Sequence, residues 1–253
     1  MTQQRVLKVV FLSLAIVASG TAVADDQPAF LLEVEAGSTW QSNNDVQVPN
    51  TLEGTRFSLK DLVGQGPWFA GRIYFTWNIS PRNGLRLLLA PLSYTETGIF
   101  EEPVDFAGAS YLPEIPTEAT YKFNSWRLTY RYRLKDGDRW KLWIGGSLKV
   151  RDAKIELRQG ETTSKDTDLG IVPLLYFAAD YRVAQRWHVV FDFDGLAGGP
   201  GRAIDLSLKL RYDINDRWAV TAGYRMLEGG VDIDEVYNFA WFNSAVVSGV
   251  YRF

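Results

Sequence analysis

The chain contains no cysteine and a single histidine in 253 residues. Without cysteine an exported domain has no disulfide staples, so its stability must come from a closed hydrogen-bonded architecture or an ordinary core. Beyond the first two dozen residues no stretch approaches 18 consecutive apolar residues, which excludes a transmembrane helix. No Pro/Gly/Ser-rich linker divides the chain, so one domain is expected. The formal net charge of −3 has no basic excess, which argues against a nucleic-acid partner. Zinc-ligand spacing, a nucleophile elbow and a phosphate cradle are also missing. Gly195 to Gly201 is rich in glycine but links two strands rather than opening a helix. No metal or cofactor is expected.

What is present begins with a short charged region containing Arg5 and Lys8, an apolar run from Val9 to Ala18, and Ala22-Val23-Ala24. This pattern predicts a Sec signal peptide over residues 1–24 and a mature domain over 25–253. Its removal deletes those two basic residues and moves the net charge from −3 to −5.

Aromatic residues make up 14% of the chain, with nine Trp. A phrase recurs among them: Tyr132-Arg133-Leu134 then Arg139-Trp140, Tyr181-Arg182-Val183 then Arg186-Trp187, Tyr212-Asp213-Ile214 then Arg217-Trp218, and finally Tyr251-Arg252-Phe253. Two strands joined by a tight turn, each with an outward aromatic at one height, write this phrase, as a membrane-interface girdle requires. Trp77, Tyr132, Trp140, Tyr181, Trp187, Tyr212, Trp218 and Tyr251 are the girdle candidates.

Period-two alternation predicts ten antiparallel strands, with eight or twelve as alternatives: about 30–40, 67–79, 85–96, 119–134, 139–157, 169–183, 186–195, 202–214, 217–227 and a last one ending at 253. Long outer loops are expected at 41–66, 97–118, 158–168 and 228–237, and short turns on the opposite side. In the eighth strand Ile204, Leu206, Leu208, Leu210 and Tyr212 share one face, and Asp205, Ser207, Lys209 and Arg211 the other. A soluble barrel would bury the apolar set; a membrane barrel turns it to lipid. The apolar faces are almost free of charge, whereas the second faces collect Arg72, Arg86, Arg127, Arg131, Arg133, Lys149, Arg151, Asp180, Asp192, Asp194, Asp205, Lys209, Arg211 and Arg225. Since a Lys or Arg at the lipid midplane costs about 2–4 kcal/mol, the charges belong inside, in an all-β transmembrane up-and-down barrel.

The last strand, with Val247, Gly249, Tyr251 and Phe253 on one face, resembles the C-terminal signature of Gram-negative outer-membrane β-barrel proteins. The resemblance implies residence in the bacterial outer membrane, with its lipids and lipopolysaccharide as surroundings. It also implies recognition of Tyr251 and Phe253 by the barrel-assembly machinery. It is silent about activity and oligomeric state, because this class includes enzymes, channels, adhesins and anchors.

Function is therefore read from the lumen. Inward cations, counting Lys141 and Arg252, number thirteen against seven carboxylates, Glu33, Glu35 and Asp213 among them. Either the excess lines a narrow anion-favouring, porin-like path, or the charges interlock as a plug. A non-enzymatic structural or surface-interaction barrel or narrow pore is the first reading. The alternatives are an outer-membrane enzyme acting on lipid A, phospholipid or peptide around Asp192, Asp194 and Asp205, and, weakest, a soluble periplasmic lipid carrier with inverted faces. His188 has no Ser within two residues and lies toward the periplasmic end, so it is read as a lumen hydrogen-bonding residue. Outside, Asp232, Asp234 and Glu235 are expected in a solvated loop, and Arg56 and Arg158 are candidates for meeting lipopolysaccharide phosphates. Thr55 to Leu62 has helix-like spacing and is expected to fold back on the mouth or lie on the membrane.

Overall fold

A computed structural model describes residues 28–199 and 201–253; the expected signal peptide, and Pro200 of the glycine-rich turn, lie outside the described residues. In chain order the elements are β1 (Phe30–Gln47), β2 (Phe57–Ser58), α1 (Leu59–Val63), β3 (Trp68–Asn78), β4 (Asn83–Ala90), β5 (Ser93–Ile99), β6 (Val104–Phe106), β7 (Ala109–Tyr111), β8 (Pro116–Asp136), β9 (Trp140–Gln159), β10 (Thr162–Ala184), β11 (Trp187–Gly198), β12 (Gly201–Asp213), β13 (Trp218–Ile233) and β14 (Val236–Arg252). Each long strand pairs antiparallel with its neighbour, and β1 pairs with β14 from Leu31↔Arg252 to Gln47↔Tyr237. Where the ring of staves is closed each strand is paired on both sides, so backbone groups are satisfied without water; Thr162–Leu174 of β10 and the whole of β5 are paired on one side only.

The wall has ten staves because β4 and β5 are two halves of one, both paired with β8. The break falls at Pro91, which has no N–H to give to the ladder. Both described chain ends and the short turns share one end of the barrel, here the terminal end; β2, α1 and the β6–β7 hairpin sit at the other, the loop end.

Outward apolar residues form a continuous belt that includes Ile73, Phe75, Leu128, Ile144, Leu148, Ile171, Leu175 and Val247, each at least one-third exposed. At its terminal-end border the Trp of each phrase meets the Tyr of the next, across the strand pair joined at the loop end rather than across the terminal-end turn. Trp140 faces Tyr181, Trp187 faces Tyr212 and Trp218 faces Tyr251 as register partners, with ring centroids 4.5, 4.8 and 4.7 Å apart. Outward Phe69, Trp126, Tyr224 and Trp241 lie six to ten residues along their strands from Trp77, Tyr132, Trp218 and Tyr251. At roughly 2.5 Å of axial rise per tilted residue that separation is about 15–25 Å, the height of a bilayer's apolar band.

Beyond the belt the strands continue, and their polarity reverses. On β8 the outward face reads Tyr132, Tyr130, Leu128, Trp126, then Asn124, Lys122, Thr120, Glu118. On β9 it reads Leu148, Val150, then Asp152, Lys154, Glu156, Arg158, and on β10 Ile171, Leu169, then Thr167, Lys165. Ion pairs now decorate the outside, such as Lys122–Asp152 at 2.6 Å and Arg158–Glu118 at 2.9 Å. At the same level the inward face changes from Arg127 and Lys149 to Phe123, Tyr121, Ile155 and Leu157, which are buried. They join Phe242, Leu59 and Leu62 of α1, and Phe106 and Tyr111 of the β6–β7 hairpin in one apolar core. The same alternation is thus inside-out in the belt and water-soluble in sense above it.

Several expected boundaries are corrected by this continuation. β1 runs to Gln47 rather than ending near 40, and the 41–66 loop shrinks to a segment carrying β2 and α1. Only Leu59–Val63 of the helix-like stretch is helical, capped by Ser58 Oγ accepting from Asp61 N, and it folds back onto the mouth with Leu59 and Leu62 buried. The expected 158–168 and 228–237 loops are strand: β9 and β10 turn at Gly160-Glu161, and β13 and β14 at Asp234-Glu235. The 97–118 loop contains the rest of β5, the β6–β7 hairpin and the start of β8.

Candidate functional site in the barrel interior

The middle of the lumen is filled by interlocked ion pairs. Asp205 receives Arg72 at 2.7 Å, Arg127 at 2.8 Å and Arg225 at 2.5 Å. Asp194, its register partner on β11, receives Arg127 at 2.5 Å and the Ser147 hydroxyl. Asp192 holds Arg86 through two bonds of 2.7 Å and accepts from Tyr176 Oη at 3.2 Å. Glu35 receives Arg225 at 2.9 Å and Lys209 at 2.9 Å, and Lys209 reaches Glu33 at 2.5 Å. Alternation on seven staves, β1, β3, β4 and β8 on one wall and β11, β12 and β13 on the other, aims these charged side chains at one level, and the narrow bore makes opposite walls meet.

The cluster is neutral: Arg72, Arg86, Arg127, Lys209 and Arg225 face Glu33, Glu35, Asp192, Asp194 and Asp205. Neutrality matters because an unpaired charge here would carry several kcal/mol of desolvation, while a bonded pair offsets it. The three aspartates singled out as an enzyme candidate are each held by guanidinium groups.

The remaining charged lumen residues sort around this plug. Arg133 pairs with Asp136 at 2.6 Å, Arg151 pairs with Asp168, and Arg211 reaches Asp180 at 2.6 Å and Asp213 at 3.1 Å. Asp136 and Asp168 do not belong to the seven carboxylates expected inside, and they absorb part of the apparent cationic excess. Among the described residues Arg131, Lys149 and Arg182 have no carboxylate partner; Lys149 is buried with Nζ 4.3 Å from the Phe123 ring. His188 has both ring nitrogens engaged, Nδ1 with Asp180 at 2.6 Å and Nε2 with Asp213 at 3.2 Å. It has no nitrogen left to activate a nucleophile.

On the loop-end side of the plug a cavity of about 20 Å³ lies beneath the apolar core, between Glu35, Arg72, Arg225, Phe123 and Phe242. On the other side a vestibule of about 940 Å³ opens at the terminal end. Inward aromatics absent from the charge-based lumen set shape it: Tyr74, whose ring lies 5.1 Å from the Arg86 guanidinium, and Trp143 line it, and the Tyr176 ring lies 5.8 Å from the Arg131 guanidinium. Alternation carried the signal for Tyr74, which sits between outward Ile73 and Phe75, but charge alone was used to define the lumen set.

At the loop end, Arg158 is bound to Glu118, and Arg56 lies 3.7 Å over the Tyr237 ring with bonds to Gln47 and Asn50. Asp232 accepts from Asn50 Nδ2 at 2.8 Å. These side chains bind the loop end together.

No protein-family model matches the chain, and no curated protein matches it by sequence. Among solved structures, the outer membrane protease OmpT from Escherichia coli superposes with a TM-score of 0.57 at 8% identity, over 88% of this chain and 96% of that one. Ail, the attachment invasion locus protein of Yersinia pestis, solved with the heparin analogue sucrose octasulfate, gives 0.40 at 12% identity over 88% and 99%. Neisserial surface protein A gives 0.39 at 15% identity over 89% and 97%. At these identities the likeness is one of fold: the chain is a closed ten-stave antiparallel barrel, the architecture of bacterial outer-membrane β-barrels.

Proposed function

We propose that this protein is a non-enzymatic, non-conducting outer-membrane barrel that acts through the rigid surface its loop end presents. The observation that carries this reading is the reversal of polarity along β8, β9 and β10, which sets a folded, charged-surfaced, apolar-cored body directly on top of a lipid-facing belt. A body of this kind is preorganised for contact, since little conformational freedom is lost when a partner docks. Two seals in series, the neutral ion-pair plug and the apolar core, oppose ion passage. The commitment of every lumen aspartate of the enzyme candidate to guanidinium groups, and of both His188 nitrogens to carboxylates, opposes hydrolysis.

The absence of native cysteine makes the test clean. Glu161→Cys in the β9–β10 turn and Asp216→Cys in a terminal-end turn are expressed separately in a Gram-negative host and treated with a membrane-impermeant maleimide. The expected result is outer-membrane fractionation with labelling of intact cells at 161 only. Recovery in the soluble periplasmic fraction, or labelling at 216 alone, overturns the proposal.

A further inference from the structure

We infer that the terminal-end vestibule is a binding site for a small polyanionic solute bearing phosphate or carboxylate groups. Its volume of about 940 Å³ falls in the range of ligand-sized cavities, and the ion-pair plug closes its inner end, so it is a blind pocket rather than part of a channel. The charge on its wall is not balanced as the plug is. Among the described residues Arg131, deep in the vestibule, and Arg182 and Arg186, which are exposed and line it too, have no carboxylate partner.

Arg131 is the anchor. Its guanidinium lies 4.9 Å from the Trp143 ring centroid and 5.8 Å from that of Tyr176, and its Nε is buried without a hydrogen-bond acceptor. Aromatic rings hold such a group flat and partly dehydrated but supply no hydrogen-bond acceptor for its N–H fork, which matches the two oxygens of a carboxylate or phosphate. Arg182 and Arg186 add positive potential where a solute enters. The pocket opens along the barrel axis, away from the lipid-facing belt, so a dissolved anion rather than a bilayer headgroup is the ligand class. This inference does not depend on the role of the loop end.

The test is isothermal titration of the refolded full-length mature barrel at low ionic strength, with pyrophosphate and with citrate as probes. Saturable one-site binding of at least one probe is expected, weakened tenfold or more by Arg131→Gln and unchanged by Arg158→Gln at the loop end. Arg131→Lys, which keeps the charge without the planar fork, should fall between wild type and Arg131→Gln. A wild type that binds neither anion, or an Arg131→Gln barrel that binds both as before, overturns the site. Should Arg131→Gln not refold, the exposed pair Arg182→Gln with Arg186→Gln decides, because loss of less than threefold in that variant also overturns it. Retained binding with a phospholipid-headgroup preference in nanodiscs, and none for either free anion, counts against a dissolved ligand.

Discussion

Arg86 of β4 and Asp192 of β11 meet across the lumen in a two-pronged bond, Nη1 to Oδ2 and Nη2 to Oδ1 both at 2.7 Å, although their strands are not neighbours. Asp192→Asn strips the charge from one side and leaves a buried guanidinium, which should cost about 3–5 kcal/mol. Replacing both, Arg86→Met with Asp192→Leu, should recover most of that loss, because two charges no longer need desolvation. Urea unfolding of the barrel refolded into vesicles measures both; equal destabilisation by the single and double variants contradicts the account.

Wild-type protein should pass no measurable ion current in planar bilayers. Asp205→Ala removes an acceptor shared by Arg72, Arg127 and Arg225, yet it too should stay closed, since Tyr121, Phe123 and Phe242 seal the next level up. Steady anion-selective conductance from the aspartate variant would mean that the apolar core is not a barrier.

The reversal of polarity predicts position-dependent tolerance on one strand. Leu148→Arg places a cation on the lipid side of β9 and should cost about 2–4 kcal/mol. Lys154→Leu, three side chains further on the same face, should change stability by less than about 0.5 kcal/mol, because that position faces water. Leu157→Asp, inward and fully buried, should unfold the loop end through an unpaired buried carboxylate. Comparable costs at 148 and 154 would place the membrane boundary elsewhere.

Alkali should loosen the loop end first. Burial raises the phenols of Tyr94 and Tyr121, both in the apolar core above the belt. Their neutral forms are the ones the core accommodates, so the stabilisation is complete below the unfolded-state value of about 10 and declines as pH rises past it. Tyrosinate absorbance after a pH jump should therefore appear in a slow phase coupled to protease sensitivity of residues 48–67. Immediate ionisation of all tyrosines would show that the core is open to solvent.

Ten staves and their order were legible because period-two alternation survives wherever one face is apolar and outward; the pairing of each Trp with the Tyr of the next phrase depends on register and was not. What was not legible lies where the environment changes sign. In Thr162 to Asp168 no apolar residue marks the inner face, since Ser164 faces inward by bonding Tyr111 Oη and the Phe106 carbonyl instead of burying hydrocarbon. The segment consequently resembled a loop. Asp136 and Asp168 were missed as partners of Arg133 and Arg151 because Asp136 ends β8 and Asp168 falls in the stretch expected to be a loop, and ion pairing across staves depends on register, which composition does not carry. The division of the lumen into plug and vestibule likewise depends on which side chains reach across the bore.

The seam between β1 and β14 joins Leu31 to Arg252, nearly the full span of the described residues. Thr39 hydrogen-bonds Ser244 beside it, and Glu35 needs Arg225 and Lys209 from β13 and β12. An incomplete chain therefore holds its first carboxylates without their cations and its first strand without a mate. Assembly is consequently bound to be late, slow and cooperative, with loop-closure entropy spent before the last pairing rewards it. Until that moment Glu33 and Glu35 stay hydrated, and a half-built sheet has reason to wait at the water's edge before entering the bilayer.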